Sequence, residues 1–154
     1  MKAAMAGFAG NAGIITAGEG EGRTGLFCTS VIAPTMAPPR YLACIGAGAS
    51  ALPVIAASGC FGVCALAAGQ EAIGRRFAGF GGISGGARFE GADWTRLETG
   101  APILADAAAA LDCRVEEMID RGDYTILIGA VVAAMAAPGR PGLVWWQGGM
   151  HPVG

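Results

Sequence analysis

Apolar residues along this chain change period from one segment to the next, and the changes outline a succession of short strands. Gly13–Ala17 is a β-branched run, and Gly18–Gly22 reads as the turn after it. Leu26–Ile32 reads as a second strand, ended by Pro34, Pro38 and Pro39 in an irregular loop. Tyr41–Ile45 is a third, closed by Gly46-Ala47-Gly48. Ser50 then stands where an N-cap would start a helix over Ala51–Ala57, with Pro53 in its first turn. Cys60–Leu66 is a fourth strand. Gln70–Phe77 has helical spacing, with Ala72, Ile73 and Phe77 on one side and Arg75 and Arg76 solvated. Gly79–Gly86 reads as a flexible glycine-rich loop, and residues 1–9 as a short helix.

The stretch after Ala105 sets propensity against period. Ala107–Ala110 favours helix. From Leu111 onward the pattern alternates, with Leu111, Cys113 and Val115 on one side and Asp112, Arg114 and Glu116 on the other, and period two means strand. Asp120–Asp123 is a turn, and Thr125–Ala134 is β-branched, so 108–134 predicts one long antiparallel hairpin. Leu143–Trp146 is the last strand. About seven strands with two or three small helices predict a mainly β fold closed as an antiparallel barrel.

Composition narrows the chemistry. Of 154 residues 53% are hydrophobic and only 14% charged, which excludes disorder. The thirty uncharged residues of 41–70 are long enough to span a bilayer. Gly46, Gly48, Pro53, Gly59 and Gly62 break them into strand-length pieces, so buried strands are expected and no membrane partner. The N-terminus lacks the apolar stretch of a signal peptide, which makes a cytoplasmic protein the expectation. A net charge of −2 without a basic run argues against nucleic acid. The single histidine, His151, has no marked nucleophile as partner, and the five cysteines have no CxxC spacing. A bound cofactor would supply chemistry that these side chains do not.

Motifs in order along the chain point to one. Gly25-Leu26-Phe27-Cys28-Thr29-Ser30 runs on to Pro38-Pro39, and Cys44-Ile45 leads into Ala49-Ser50. Ser58-Gly59-Cys60-Phe61-Gly62-Val63 is followed by Gln70 and Phe77-Ala78-Gly79. Arg88-Phe89, Gly100-Ala101-Pro102, Leu111-Asp112-Cys113-Arg114-Val115, Gly122-Asp123-Tyr124 and Gly142-Leu143-Val144-Trp145 complete the series. Together they resemble the small flavin reductases of the FMN-binding split-barrel family over nearly the whole chain, as one domain over 1–154.

The resemblance implies an antiparallel split β-barrel holding FMN or FAD and reduced by NADH or NADPH, with hydride delivered to the flavin ring itself. It implies a homodimer that supplies reduced flavin to a flavin-dependent monooxygenase component. Alternatives are a reductase of another acceptor, such as a cob(II)alamin-type corrin, and a non-enzymatic flavin carrier. By resemblance, Phe27, Cys28, Thr29, Ser30 and Ala33 lie along the isoalloxazine edge. Gly46, Ala49 and Ser50 take the ribityl chain and phosphate, and Arg88 and Phe89 help cover the cofactor. Asp123, Tyr124 and His151 lie on the nicotinamide side. The chain departs from the family pattern at Phe27 (usually Thr), Ala33 (Ser), Gly46 and Cys64 (Asn), Tyr124 (His), Gly148 (Arg) and Met150 (Tyr).

Overall fold

The computed structural model describes residues 1–154. Twelve strands and three α-helices follow one another in the order α1 (Lys2–Met5), β1 (Gly10–Asn11), β2 (Gly13–Ala17), β3 (Thr24–Cys28), β4 (Val31–Met36), β5 (Pro39–Gly46), α2 (Ala51–Ser58), β6 (Cys60–Ala65), α3 (Glu71–Phe77), β7 (Trp94–Thr95), β8 (Ile103–Leu104), β9 (Ala109–Asp120), β10 (Tyr124–Ala136), β11 (Gly142–Trp146) and β12 (Gly149–Val153). Seven strands form one antiparallel sheet in the order β3-β2-β6-β9-β10-β5-β4. A second sheet, β1-β11-β12, and a β7-β8 ladder flank it. No helix is long and apolar enough to cross a membrane.

Strands β3 and β4 are separated by two residues, yet they occupy opposite edges of the seven-stranded sheet. Thr29 and Ser30 can span those edges only if the sheet curls until they meet. The Cys44 N–H donates to the Ser30 carbonyl at 2.9 Å, which extends the β4–β5 ladder back to the link itself. The barrel is therefore split: its edges are linked by the chain, not by a ladder. This differs from the expected single strand Leu26–Ile32, which breaks at Thr29–Ser30. The proline-rich stretch is likewise a hairpin rather than an irregular loop. Pro34 sits in edge strand β4, at the register shift between Ile32 and Thr35, where a missing N–H costs no ladder bond.

Both faces of β2 and β6 are buried, which explains their unbroken apolar runs. Ile15, Ala17, Phe61 and Val63 point into the barrel with Ile45, Cys113 and Leu127, and α2 closes one end with Ala51 and Ile55. Ile14 and Cys64 point outward beneath α3 and the 89–107 segment, where they meet Leu66, Phe77, Phe89, Ile103 and Leu104. The long hairpin is observed as β9 and β10, so period overrides alanine propensity.

One burial is added to the alternation, and two local expectations are corrected. Asp112 alternates with Leu111 and Cys113 but is fully buried, because its outer face is covered. Its carboxylate accepts the Thr99 N–H at 2.7 Å and the Thr99 hydroxyl, and so ties the Thr99–Pro102 loop to β9. The Gly79–Gly86 stretch contains short 3₁₀ turns, and Ile83 in it is held by the Arg88 Nε–H at 3.1 Å. The N-terminal helix covers only Lys2–Met5, with no buried residue to anchor a longer one.

Gly129 is a close-packing requirement: a Cβ there would lie 2.6 Å from the Phe61 ring. Gly129→Ala is expected to destabilise the fold by about 1–3 kcal/mol, read as a lower midpoint in guanidinium unfolding.

Candidate functional site

The seam creates an open backbone edge. The Ala12 carbonyl accepts the Leu66 N–H, so even-numbered residues of β2 bond to β6 and odd-numbered ones to β3. Register then turns Thr24, Leu26 and Cys28 toward β2, and leaves the backbone groups of Gly25 and Phe27 facing away from it. Arg88 Nη1 donates to the Gly25 carbonyl. The N–H and C=O of Phe27 and Thr29 find no partner in the chain. This strip presents donors and acceptors in alternation, which suits the polar edge of a flat heterocycle. Glycine at 25 is obligatory, since a Cβ would collide with the Ile15 carbonyl at 2.4 Å and the Phe77 ring at 2.7 Å.

A second feature adjoins the first. β5 ends at Gly46, paired with Tyr124, and the Ala47 N–H donates to the Asp123 carbonyl at 3.0 Å. The 46–50 turn and the 121–124 turn are thus held against each other. Within the turn, the Ala49 N–H bonds back to Gly46, while the N–H groups of Gly48, Ser50 and Ala51 remain unpaired at the start of α2. Free N–H groups at a helix N-terminus favour an anion. Gly46 and Gly48 have φ below zero, and a Cβ on either meets nothing within 4 Å. Neither strain nor internal packing calls for glycine there, and both leave room for a ligand to approach the backbone.

Ser50 does not cap α2. Its φ/ψ is helical, and its hydroxyl lies 3.2 Å from the Thr24 hydroxyl instead, which ties the turn to the start of β3. Arg23 and Arg88 bring positive charge to this end of β3. The Arg23 guanidinium lies 4.6 Å from the centre of the Phe89 ring. Phe89 itself is 1% exposed, packed against Phe77 and Trp94, and so it supports Arg88 rather than presenting a ligand surface. Thr24 and Arg23 were not singled out by the sequence. Their signal, a hydroxyl and a cation just before the strand glycine, acquires meaning only when α2 is seen to start beside them.

The remaining candidates divide. Phe27 packs edge-on to Trp145 at 5.5 Å, and Cys28 faces the barrel core. Ala49 lies in the turn, half-buried, and Ser30 is exposed at the seam. Ala33 is exposed on β4, past the seam. Asp123 and Tyr124 are exposed beside Gly46. His151 lies in the other sheet, on β12, with Nε2 at 3.0 Å from the Trp146 carbonyl, and the chain does not join it to Tyr124. Burial pushes the Cys64 and Cys113 thiols up to about 12, helped at Cys113 by the Asp112 charge, and raises Cys28 as well. Neutral thiols are poor nucleophiles, so none of these three supplies one.

The architecture is a split barrel whose candidate binding features are backbone edges and turns. The family model described as the flavin reductase like domain matches residues 5–154, and the chain belongs to that family. It is 37% identical to "FMN reductase (NADH) RutF 2" of Rhizobium rhizogenes, over 97% of this chain and 86% of that one. It is 35% identical to "FMN reductase (NADH) RutF" of Enterobacter cloacae, over 91% and 84%. Among solved structures, the NADH:FAD oxidoreductase SgcE6 of Streptomyces globisporus, in complex with NAD and FAD fragments, superposes with a TM-score of 0.88 at 30% identity, covering 99% of this chain and 90% of that one. BorF, the flavin reductase component of a bacterial two-component tryptophan halogenase, gives 0.88 at 26% identity, covering 99% and 95%.

Thiol labelling tests the burial of the cysteines. In native protein at about pH 8, Cys44 is expected to react before Cys28, with Cys64 and Cys113 protected until denaturant is added. Mass spectrometry of the labelled peptides reads the order, and early modification of Cys64 would contradict the packing.

Proposed function

We propose that this chain is an NADH-dependent flavin reductase that takes FMN or FAD. The carrying observation is the open backbone edge at Phe27–Thr29, set beside three unpaired N–H groups at the start of α2. A flavin needs both: donors and acceptors along one edge of its ring, and an anion site for its phosphate. The spare room at Gly46 and Gly48 fits the chain between them. When bound, the flavin supplies the hydride-accepting chemistry.

The residues divide the remaining work. The Phe27 and Thr29 backbone groups orient the ring edge, with the exposed Ser30 and Ala33 beyond them, while Cys28, whose backbone bonds to β2 and whose side chain faces the core, only spaces the two. The N–H groups of Gly48, Ser50 and Ala51, with the Ser50 hydroxyl, hold the phosphate, and Arg23 and Arg88 add positive charge. Phe89 holds this end of β3 in place. Asp123 and Tyr124 lie next to the 46–50 turn, where a nicotinamide would approach, and the Tyr124 ring offers a stacking face. His151 can join them only from a second copy or through a movement of β12.

The reading extends to a homodimer and to a flavin-dependent monooxygenase as consumer of the reduced flavin. An apolar outer face on β4 and β10, with Ile32, Met36 and Val132 exposed, supports the first. Similarity to a reductase component of a two-component system supports the second. Five free cysteines agree with a cytoplasmic setting.

Anaerobic titration tests the proposal. Protein supplied with FMN or FAD is expected to bind it, and NADH should then abolish the oxidised flavin's visible absorption. Absence of flavin binding together with absence of NADH or NADPH oxidation would overturn it. Ser50→Ala is expected to weaken FMN by about tenfold or more, for loss of a hydrogen bond to a charged group, with the circular dichroism spectrum unchanged.

A further inference from the structure

At the end of the barrel opposite α2 the rungs run out of side chain. Register sets Ile15, Val63 and Leu111 side by side across β2, β6 and β9, all facing the interior. The next inward rung toward the open end is Gly13, Ala65 and Ala109. No member of that rung extends beyond a methyl group. Val31 and Tyr41 wall the space from the far side of the barrel. The result is a cavity of about 160 Å³, lined mostly by apolar groups and open to solvent at one end.

Two polar groups stand in this lining. The Asn11 Nδ2 donates to the Val31 carbonyl at 3.0 Å, which fixes the amide and leaves Oδ1 without a partner in the chain. The Tyr41 hydroxyl makes no hydrogen bond either, and burial raises its pKa, so it stays a neutral donor. The space matches one aromatic ring, since a dry apolar cavity of about 150 Å³ accepts benzene. Apolar walls with a few convergent polar groups characterise small-molecule sites.

We propose that this mouth of the barrel binds a small monocyclic aromatic molecule carrying one hydroxyl, of phenol size. The ring would rest on Val63 and Leu111 in the space left by Gly13, Ala65 and Ala109. The hydroxyl would donate to Asn11 Oδ1. The site uses none of the backbone groups assigned to the flavin, but Val31, which walls it, lies between Ser30 and Ala33 of that strip, so the two sites are tested against each other.

Calorimetric titration with phenol and toluene, with and without FMN, tests it. Both probes are expected to bind saturably at one site, phenol the tighter. Ala65→Leu should fill the cavity and weaken both by about tenfold or more. Asn11→Ala should erase the preference for phenol and leave toluene in place. Ala109→Val serves the same end if Ala65→Leu does not fold by circular dichroism. Saturable binding of neither probe, undiminished binding to a folded cavity-filling variant, or competitive displacement of phenol by FMN would each overturn the proposal. FMN affinity of the same variants, measured separately, keeps a failure of the flavin reading distinguishable from a failure of this one.

Discussion

Two residues joining opposite edges of a sheet set the terms for everything else in this molecule. Because Thr29 and Ser30 carry the chain from β3 directly to β4, seven strands must curl until their edges are neighbours. The edges approach without pairing, so β3 keeps one row of backbone groups unclaimed. In most proteins an open edge invites association with another strand. Here one end of it is occupied in another way, since Arg88 takes the Gly25 carbonyl. Beyond that point lie the free groups of Phe27 and Thr29. The closure that makes the barrel thus also leaves this edge open.

That arrangement asks for small residues at defined points. Gly25 lets β3 pass under Phe77, and Gly129 accommodates the Phe61 ring. Gly62 lies against the Thr16 hydroxyl and the Pro102 carbonyl, at the join where the loop pinned by Asp112 meets β2. Glycine and alanine are poor at burying area. The chain compensates by burying both faces of its central strands, so β2 is buried along its whole length. At the open end of the barrel, where Gly13, Ala65 and Ala109 lie side by side, the same small residues leave a hollow.

Much of this was legible in the sequence. Alternation from Leu111 identified the long hairpin against its own alanine propensity, because side chains at period two meet two different environments. The motif order located the turn at Gly46–Ser50 and the element at Phe27–Ser30. What escaped notice were contacts between residues distant in the chain. The Thr24–Ser50 hydroxyl pair spans 26 residues and the Thr16–Pro102 bond 86. The burial of Asp112 is not readable from the sequence, because alternation says which residues share a face, not whether that face is covered. The break at Thr29–Ser30 was hidden since apolar residues flank it on both sides, and only topology reveals that they serve opposite edges.

A chain with 14% charged residues offers few side chains for catalysis. The proposed reading makes the shortage tolerable. In it backbone groups do the recognising, and a backbone group keeps its polarity whatever side chain it carries. A side chain that binds must be held by its own packing and hydrogen bonds. A carbonyl on β3 is held by the ladder to β2, and an N–H of the turn by the helix it begins. Substitution at Phe27 or Gly46 therefore alters the shape and the side-chain contacts of the site while leaving the row of donors and acceptors in place. The framework can vary at these positions and still present the same polar edge, provided Gly25 lets β3 pass and Thr24 and Ser50 hold the turn beside it.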